Sequence, residues 1–477
     1  MKKYFIQTFW CAMNQADSEK INMILLQSWF FKVNNWEKAD LVIFNTCSVR
    51  QKWEDKVFWF IEEIFKSNKD IKIWITGCMV RKTGIDWKYL WEYKRDKNKA
   101  KKIQTLGEKW SIFNNDDKLF PRNNNKIDFV LRIEDTKFLP LILTEMFSEN
   151  IWSEYKFDDY LKSKQLRENP AQAIIIIQTW CDNHCTYCIV PQTRWTENSR
   201  KIEDIVEEAK EVVADWVKEI TLVWQNVNSY WKQFIDSKYW NMEKWKWNDW
   251  LWKSPFRQLL EELDKIDWLD RIRFTSSNPH DMTQDILDAH FDLKKTCNYL
   301  HFALQSWSDE MLKRMNRRHN YSDFKKMVEY LRSRDPLFSI STDIIVWFSG
   351  ETEEMFNDTK KAFNECIFDF TYNARYSVRK TTIAAKIYPD NITNEQKAER
   401  WHILNDILLE NVTSRNALML NRVEDVLISS EKDWEFIWRT RNFKEVRFPK
   451  TDWIKIWDLV NVKITELDRY VLKWETI

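Results

Sequence analysis

Glycine is almost absent from the sequence. The chain contains 4 glycines and 29 tryptophans in 477 residues, whereas average usage would give about 33 glycines. Several tryptophans lie in turn or strand-end segments, where glycine normally supplies a positive φ or a close backbone approach: Trp195, Trp307, Trp347 and Trp457. We hypothesise that UGA codons for glycine are written here as tryptophan. Mass spectrometry of the native protein tests this against the alternative of a naturally tryptophan-rich chain.

Long apolar runs and an excess of one charge sign are also missing. The first residues lack an apolar stretch of signal-sequence length, and no run approaches the roughly 18 apolar residues of a membrane span. We therefore expect a cytoplasmic protein, in a reducing compartment where the eight cysteines stay unpaired. The formal net charge of +1 excludes a global basic field for nucleic acids but leaves room for a local groove.

The apolar pattern predicts an α/β multidomain fold. Three buried runs near the N-terminus (KYFIQT, ADLVIFNTC and DIKIWITGC) alternate with helical patterns, which is typical of an open parallel α/β sheet. Six strand and helix units between Ala171 and about Leu409 suggest a partial (β/α) barrel, and the short strands that follow suggest a small β-barrel. The predicted boundaries are 1–118 for the N-terminal domain, 119–166 for a linker, 167–405 for the central barrel and 406–477 for the C-terminal barrel.

The sharpest motif is C-x3-C-x2-C, formed by Cys181, Cys185 and Cys188 directly after the buried run AIIIIQT. Three thiolates on one tight loop can hold three corners of a 4Fe-4S cube and leave the fourth iron open for a small molecule. The alternatives are a zinc loop or a chance cluster, but zinc structural sites use four ligands at other spacings. We call these three residues the central triad.

Three other cysteines each follow one of the N-terminal strands: Cys11, Cys47 and Cys78. The carboxyl ends of parallel strands line one crevice, so we expect these thiols to converge. They predict a second cluster with an open iron, and unrelated burial at strand ends is the alternative. We call them the N-terminal triad. The remaining Cys297 and Cys366 stand alone, and packing or surface thiols are the expected roles.

These motifs resemble those of the radical-SAM methylthiotransferases. C-x3-C-x2-C on a partial barrel is the mark of radical-SAM enzymes, and the added three-cysteine domain is similar to that of methylthiotransferases. With tryptophan read as glycine, the matching stretches extend from residue 5 to the C-terminus: CAMNQADSEK, FNTCSVR, TGCMV, QTWCDNHCTYCIVPQTRWTENSR, WQNVNSYW, RIRFTSS, LQSWSD, DIIVWFSGET and IWDLVNVKITE. NTCSVR with QNVN favours the MiaB-type tRNA-2-methylthio-N(6)-dimethylallyladenosine synthases within this family.

The resemblance implies a reaction that uses two 4Fe-4S clusters and S-adenosylmethionine. The cluster on the central triad would bind S-adenosylmethionine and yield a 5′-deoxyadenosyl radical, which abstracts hydrogen from carbon 2 of the adenine. The cluster on the N-terminal triad would hold the sulfur that is methylated and transferred. The resemblance also places Tyr187 near the adenine of S-adenosylmethionine. Other cofactor-binding candidates lie at the ends of predicted barrel strands: Gln225, Asn226, Gln305 and Asp343.

The implied partner is tRNA, with an adenosine of the anticodon loop as the target. The C-terminal barrel resembles a TRAM domain, but its charges nearly cancel, so an RNA groove requires local clustering. Such a cluster is Arg439, Arg441, Lys444 and Arg447, for which a solvated mixed-charge face is the alternative. We expect a monomer, and the sequence does not identify the reductant or the sulfur donor.

Departures from the family pattern concern substrate contacts rather than cluster chemistry. VRKTTIAA at 378–385 replaces A-R-P-G-T-P-A-A, QTR at 192–194 replaces Y-T-R, and Asn278 occupies a common His position. Two alternatives stay open. One is a sibling methylthiotransferase that acts on threonylcarbamoyl-adenosine or on a ribosomal protein. The other is a non-catalytic iron–sulfur or zinc protein that binds RNA.

Overall fold

The computed structural model describes most of the chain and shows two compact units. Unit 1 comprises residues 1–168 and 189–196, and unit 2 comprises residues 169–188 and 197–477. The described residues are 2–9, 11–47, 51–68, 70–80, 126–149, 151, 160–179, 181–193, 197–231, 253–379, 382–432, 435–449 and 454–476.

Unit 1 contains a parallel five-stranded sheet. Its strands are β1 (Lys3–Thr8), β2 (Phe31–Lys32), β3 (Leu41–Thr46), β4 (Lys72–Gly77) and β5 (Phe129–Val130). They pair in the order β2-β1-β3-β4-β5. The central strand β3 is buried along its whole length, which explains the near-continuous apolar run that predicted it. The predicted N-terminal parallel sheet is confirmed.

The helices in the described part of unit 1 are α1 (Ala12–Gln27), α2 (Gln51–Ser67), α3 (Leu139–Phe147) and α4 (Val190–Thr193). α1 follows β1 and lies in the crossover to β2, as a parallel sheet requires. It buries an unusual number of polar side chains, among them Asn14, Asp17 and Lys20. Lys20 Nζ donates to the carbonyl of Tyr160 at 2.8 Å, and the Tyr160 hydroxyl donates to Asp17. Hydrogen bonds therefore compensate for the burial of this polar face.

Unit 2 contains six parallel strands in two three-stranded sheets. The strands of this region are β6 (Gln172–Ile176), β7 (Gln178–Thr179), β8 (Asn198–Ser199), β9 (Glu219–Val223), β10 (Arg271–Phe274), β11 (Tyr299–His301), β12 (Ser339–Val346) and β13 (Phe370–Arg375). β6, β9 and β10 form one sheet, and β11, β12 and β13 form the other. A parallel bridge between Ser277 and Phe302 joins the two. Each of the six corresponds to one of the predicted strand segments.

Helices connect these strands. They are α5 (Ile202–Ala214), α6 (Pro255–Asp264), α7 (Gln284–Asp292), α8 (Asp309–Arg314), α9 (Tyr321–Arg334), α10 (Glu353–Cys366), α11 (Ile383–Ile387) and α12 (Asn394–Ala417). α12 begins at a capping box in which Thr393 and Gln396 satisfy each other's backbone amides. It continues to Ala417, so the predicted domain boundary at residue 406 lies inside this helix.

The C-terminal strands form a closed barrel. They are β14 (Val423–Lys432), β15 (Glu435–Thr440), β16 (Glu445–Pro449), β17 (Leu459–Asp468) and β18 (Val471–Thr476). The barrel closes in the order β14-β15-β16-β18-β17. Two buried arginines of β10 hold it: Arg271 Nη1 donates to the carbonyl of Arg439 and Arg273 Nη1 to that of Arg441, each at 2.7 Å. These guanidinium groups fix the closed barrel against the parallel strands of unit 2.

Tryptophan occupies several backbone positions that favour glycine. Among the residues that the structure describes, six tryptophans have a left-handed φ between 57° and 84°: Trp29, Trp216, Trp231, Trp268, Trp347 and Trp457. Trp29 follows the last residues of α1, where Phe30 N donates back to Leu25 O at 3.0 Å. Trp216 follows α5 in the same way, with Val217 N donating to Val212 O at 3.1 Å.

This bond pattern is the Schellman motif, whose left-handed residue is usually glycine. Trp29 and Trp216 also hold their indoles largely in solvent, at 67% and 73% exposure. The geometry supports the hypothesis that these codons specify glycine. Among the four positions singled out from the sequence, Trp347 and Trp457 have the left-handed conformation, Trp307 is buried without it, and Trp195 lies outside the described residues.

Candidate active site

The central triad lies on the loop between β7 and α4. Cys181, Cys185 and Cys188 are each partly exposed. The amide of Cys188 donates to the carbonyl of Cys185 at 3.0 Å, so the second half of the motif forms a tight turn. The described residues contain no group of three or more His, Cys, Asp or Glu side chains placed to share one metal ion. A 4Fe-4S cube does not need such a group, because each thiolate binds its own iron.

The turn after α8 holds this cysteine loop in place. Thr186 donates its amide to the carbonyl of Met315 at 3.0 Å and its hydroxyl to that of Arg314 at 2.9 Å. Asn316, in a left-handed conformation, donates its side-chain amide to the carbonyl of His184 at 2.9 Å. The loop conformation is therefore set by residues about 130 positions further along the chain.

The charges around the central triad suit a cationic cluster. Burial raises the pKa of the Cys181 thiol, and the neighbouring Cys188 raises it further. A thiol in such a place becomes a thiolate only when positive charge compensates it, as cluster irons do. The guanidinium Nη1 of Arg317 lies 3.7 Å from Cys185 Sγ and supplies part of that charge. Nothing in the sequence around Arg317 indicated this contact.

Tyr187 lies inside the cysteine loop, next to a buried apolar cluster. Its ring meets Phe348 edge-on at 6.3 Å between centroids, and the same cluster contains Met311 and Met315. Burial raises the pKa of Tyr187, and the charge on Cys185 adds to this effect. The ring thus packs as a core tyrosine would. Its predicted contact with the adenine of S-adenosylmethionine stays a prediction.

The candidates Gln225 and Asn226 follow β9. Gln225 is partly exposed, whereas Asn226 is buried and donates its amide to Asp281 Oδ2 at 2.6 Å. Asn278, at the common His position, donates to the same oxygen at 3.3 Å. Asn226 Oδ1 has no hydrogen-bond partner among the described residues. A buried acceptor without a donor leaves one hydrogen bond for a ligand to make. Asp281 was not singled out from the sequence.

The candidates Gln305 and Asp343 come together from β12 and from the segment after β11. Gln305 N donates to the carbonyl of Asp343 at 2.8 Å, and Gln305 has a φ of 77°. A left-handed glutamine is strained and is typical of functional sites. His301 at the end of β11 places its Nε2 3.5 Å from Asp343 Oδ2, a partner that the sequence did not predict. Gln305 follows β11, whereas Asp343 lies inside β12 rather than at its end, and their role in binding a ligand stays a prediction.

An acidic pair adjoins the central triad. Glu197 accepts from the amide of Asp182 at 3.2 Å, and Asp182 accepts from the amide of Glu197 at 3.3 Å. Ser229 donates its hydroxyl to Glu197 Oε1 at 3.2 Å. Burial raises the pKa of Glu197 to about 7, and the carboxylate of Asp182 contributes to the rise. Glu197 is therefore a group that can hold or release a proton near neutral pH beside the cysteine loop.

The strand order of unit 1 brings the N-terminal triad together. Cys11 caps α1 just after β1, Cys47 follows β3 directly, and Cys78 follows β4 directly. β3 pairs with both β1 and β4, with Thr8 opposite Asn45 and Thr46 opposite Gly77. Neighbouring strands lie about 4.8 Å apart. The three cysteines therefore follow adjacent strand ends, as the sequence predicted.

Thr46 and Asn14 connect the segments that carry these cysteines. Thr46 O accepts from Cys78 N at 2.9 Å and from Asn14 Nδ2 at 3.0 Å. Asn14 Nδ2 also donates to Phe9 O at 2.8 Å, and Asn14 N donates to Cys11 Sγ at 3.4 Å. An N–H directed at a cysteine sulfur stabilises a thiolate. Asn14 was overlooked in the sequence, although it belongs to the quoted stretch CAMNQADSEK.

Gly77 is essential to the same arrangement. Its φ is +84°, and a Cβ built on it would lie 2.4 Å from the carbonyl oxygen of Thr46. Any side chain at position 77 would therefore collide with the Thr46 carbonyl oxygen, which accepts hydrogen bonds from Cys78 and Asn14. A glycine at the end of β4 lets Cys78 approach the neighbouring strand end.

The other sequence-based candidates have structural contacts. Cys297 and Cys366 are each 1% exposed, so packing rather than surface reactivity explains them. In the proposed basic cluster, Lys444 is buried and its Nζ lies 2.6 Å from Asp369 Oδ1. Arg441 donates to two backbone carbonyls of unit 2. The suggestion that Lys444 lines an RNA groove is therefore wrong.

Comparison with known proteins decides the family. The Radical SAM superfamily matches residues 175–363, and the uncharacterized protein family UPF0004 matches residues 3–96. The whole chain is 33% identical to the tRNA-2-methylthio-N(6)-dimethylallyladenosine synthase of Clostridium botulinum (strain Okra / Type B1), of which it covers 97%. The chain belongs to this synthase family. It is also 34% identical to the synthase of Caldicellulosiruptor saccharolyticus, of which it covers 93%.

Membership of this synthase family makes the chain a radical-SAM transferase, and the superfamily implies a 4Fe-4S cluster and S-adenosylmethionine. The family and the enzyme class inferred from the sequence are confirmed. The radical S-adenosylmethionine methyltransferase TsrM from Kitasatospora setae aligns with a TM-score of 0.50 at 12% identity, over 80% of this chain and 77% of that chain. This likeness concerns the fold. No helix in the described part of the chain has both the length and the apolar character that a membrane crossing requires.

Proposed function

We propose that this radical-SAM transferase adds a methylthio group to carbon 2 of N(6)-dimethylallyladenosine next to the anticodon of tRNA. The observation that carries the proposal is the pair of cysteine triads, in a chain that covers 93–97% of the synthase relatives reported above. One triad follows the parallel strands β1, β3 and β4, and the other lies on the loop after β7. Two clusters and S-adenosylmethionine, when bound, supply the radical chemistry and the sulfur.

The central triad holds the cluster that binds S-adenosylmethionine. Its three thiolates leave one iron free of protein ligands. Asn316 and Thr186 keep the loop in shape, and Arg317 offsets negative charge at Cys185. Tyr187, Gln225, Asn226, Gln305 and Asp343 orient the S-adenosylmethionine. The open oxygen of Asn226 is suited to accept a hydrogen bond from an amine or hydroxyl of that ligand.

The N-terminal triad holds the second cluster and presents the sulfur. Cys47 and Cys78 are buried, so a cluster there is shielded from water. Asn14 directs one amide at Cys11 and fixes the carbonyl of Thr46. A sulfur held on such a cluster reaches the substrate only if the turns carrying the three cysteines are rigid. The side chain of Asn14 supplies that rigidity.

The C-terminal barrel is proposed to act as a TRAM-like RNA-binding domain, and the four-part division at 118, 166 and 405 as the domain organisation. We also propose that the protein is a cytoplasmic monomer whose substrate is the anticodon loop of tRNA. An adenosine in a single-stranded loop leaves its stack at a cost of a few kcal/mol. The reductant and the sulfur donor are separate proteins or small molecules supplied by the cell.

The test is nucleoside analysis of tRNA from a bacterial strain that lacks its own synthase. A gene in which each UGA-derived tryptophan codon is replaced by a glycine codon is introduced. The expected result is 2-methylthio-N(6)-dimethylallyladenosine, which disappears with Cys185→Ala and with Cys47→Ala. A methylthio group on threonylcarbamoyl-adenosine would reject the proposed substrate. Iron analysis after anaerobic reconstitution should give about eight irons per chain.

A further inference from the structure

β13 exposes aromatic side chains on one of its faces. Phe370 and Tyr372 are 39% and 40% exposed, whereas the alternate residues Thr371 and Asn373 are buried. The buried face packs against α12, because Trp401 Nε1 donates to the carbonyl of Asn373 at 2.8 Å. The exposed face of a strand is ordinarily polar. Two neighbouring aromatic rings in that position indicate a binding surface.

These rings belong to a continuous row. The ring centroids of Phe370 and Tyr372 are 4.8 Å apart. His301 lies 5.5 Å from Tyr372 at one end, and Tyr470 lies 6.2 Å from Phe370 at the other. Tyr470 is itself 40% exposed and precedes β18 of the closed barrel. The aromatic row, as we call His301, Tyr372, Phe370 and Tyr470, thus extends from β11 to the C-terminal barrel.

One end of the aromatic row adjoins Asp343, a residue of the proposed S-adenosylmethionine site. Tyr372 is the cross-strand partner of Asp343, and His301 Nε2 lies 3.5 Å from Asp343 Oδ2. Residues opposite each other in a sheet point to the same side. The aromatic row and Asp343 therefore share one face of the sheet. A molecule lying along the row reaches the proposed reaction centre at one end and the closed barrel at the other.

Positive charge flanks the aromatic row. Arg469 directly precedes Tyr470 of the row and is exposed. Arg375 ends β13 and is also exposed, but it alternates with Thr371 and Asn373 and so belongs to the opposite face of the strand. Neither arginine forms an ion pair within the described ranges of the chain. Aromatic rings with nearby cations are the features that bind single-stranded nucleic acid, since bases stack on the rings and the cations contact phosphates. An apolar protein partner would not need these cations.

We propose that the aromatic row is the surface on which unpaired bases of the substrate RNA loop stack. This inference rests on the proposed function and specifies where the RNA lies. Tyr372 and Phe370 provide the stacking faces, and Arg469, beside Tyr470, contacts the phosphate backbone. The target base lies at the His301 end of the row, next to Asp343.

The experiment measures binding of a fluorescent anticodon stem-loop RNA to the full-length, cluster-loaded protein. Tyr372→Ala and Phe370→Ala should each raise Kd about five- to a hundredfold, the loss expected for one stacked base. Tyr372→Phe and Phe370→Tyr keep a stacking face and should stay within about twofold of the parent protein. Phe31→Ala is the matched control, because Phe31 is an aromatic on β2 with 44% exposure. Melting temperature and iron content show whether each variant is folded.

The salt dependence of RNA binding tests the arginine beside the aromatic row. Arg469→Gln should lower the slope of log K against log salt by about 0.7, the value for one phosphate of a single strand. Arg318→Gln, at an exposed arginine in the turn after α8, should leave the slope unchanged.

Three outcomes would contradict the proposal that RNA bases stack on the aromatic row. Alanine variants that bind the stem-loop as tightly as the parent would reject it, while methylthiolated tRNA from the parent would leave the proposed function standing. A parent protein with neither stem-loop binding nor tRNA modification would reject both. Alanine variants that convert a dimer into a monomer in light scattering, at unchanged RNA affinity, would make the row an interface between copies of the chain.

Discussion

The side-chain amide of Asn14 lies 3.0 Å from the backbone carbonyl of Thr46 and donates a hydrogen bond to it. The same amide also donates to the carbonyl of Phe9 at 2.8 Å. One side chain therefore ties the turn before Cys11 to the turn before Cys47. Because the side chain is fully buried, water cannot replace either bond.

Replacing Asn14 with alanine should disturb the N-terminal triad and spare the central one. We expect the free energy of unfolding to fall by about 2–4 kcal/mol, because two buried carbonyls lose a donor. Reconstituted iron should drop from about eight to about four per chain. Urea unfolding and iron analysis measure these effects. Asn34→Ala, at an exposed asparagine, is the control. Full iron content in Asn14→Ala would contradict the proposed role of Asn14 in holding the N-terminal triad.

Tryptophan-to-glycine replacements should have opposite effects at two kinds of site. Trp216→Gly should raise the free energy of unfolding by about 1 kcal/mol, because it removes a side chain from a left-handed backbone position. Trp59→Gly, at a 56% exposed site inside α2, should lower it by a similar amount, since glycine weakens helix interiors. Urea unfolding of both variants provides the comparison. Equal destabilisation by the two changes would contradict the claim that Trp216 is strained by its left-handed backbone conformation.

The carboxyl group of Glu197 should make stability depend on pH. Its folded pKa of about 7 exceeds the model-peptide value of 4.5, so the folded state binds the proton more tightly than the unfolded state. The contribution of Glu197 to the free energy of unfolding is therefore fully present below about pH 4.5. Up to about 3 kcal/mol of that free energy is lost as the pH rises from 4.5 through 7. Glu197→Gln should remove this part of the pH dependence in urea unfolding between pH 5 and pH 8. Glu203→Gln, at an exposed glutamate on α5, should retain it.

Asp369 should be essential for stability rather than for RNA binding. Burial alone would raise its pKa, but Lys444, Arg415 and Arg332 lower it to about 2. The ion pairs therefore stabilise the protein above the unfolded pKa of 3.8 and are lost as the pH falls toward 2. Asp369→Asn should cost about 3–5 kcal/mol at neutral pH, because the buried Lys444 and Arg415 and the partly buried Arg332 lose their partner. Thermal unfolding measures the loss.

The matched measurement for that cluster is RNA affinity. Lys444→Gln should destabilise the protein yet leave the salt dependence of stem-loop binding unchanged, because Lys444 is buried and cannot reach a phosphate. If Lys444→Gln made the RNA affinity less dependent on salt than that of the parent protein, Lys444 would be a phosphate contact after all.

The strands and the cysteine sites could be predicted because their signals are local. Parallel strands buried on both faces give continuous apolar runs, as in β3, and a cysteine directly after such a run must lie at a sheet edge. Contacts between distant segments leave no such signal. Arg317 reaches Cys185 across 132 positions, and Lys444 was misjudged because its partner Asp369 is 75 positions away. The predicted boundary at residue 406 stays a prediction, and α12 continues across it from Asn394 to Ala417.

Gly77 is one of the four positions in the chain that the sequence writes as glycine. It is also a position where a Cβ would lie 2.4 Å from a neighbouring carbonyl oxygen. If UGA specifies glycine in this gene, reading it as tryptophan leaves the end of β4 unchanged but places an indole at left-handed positions such as Trp29 and Trp216. Heterologous expression of the unaltered gene would consequently fail through misfolding rather than through defective chemistry.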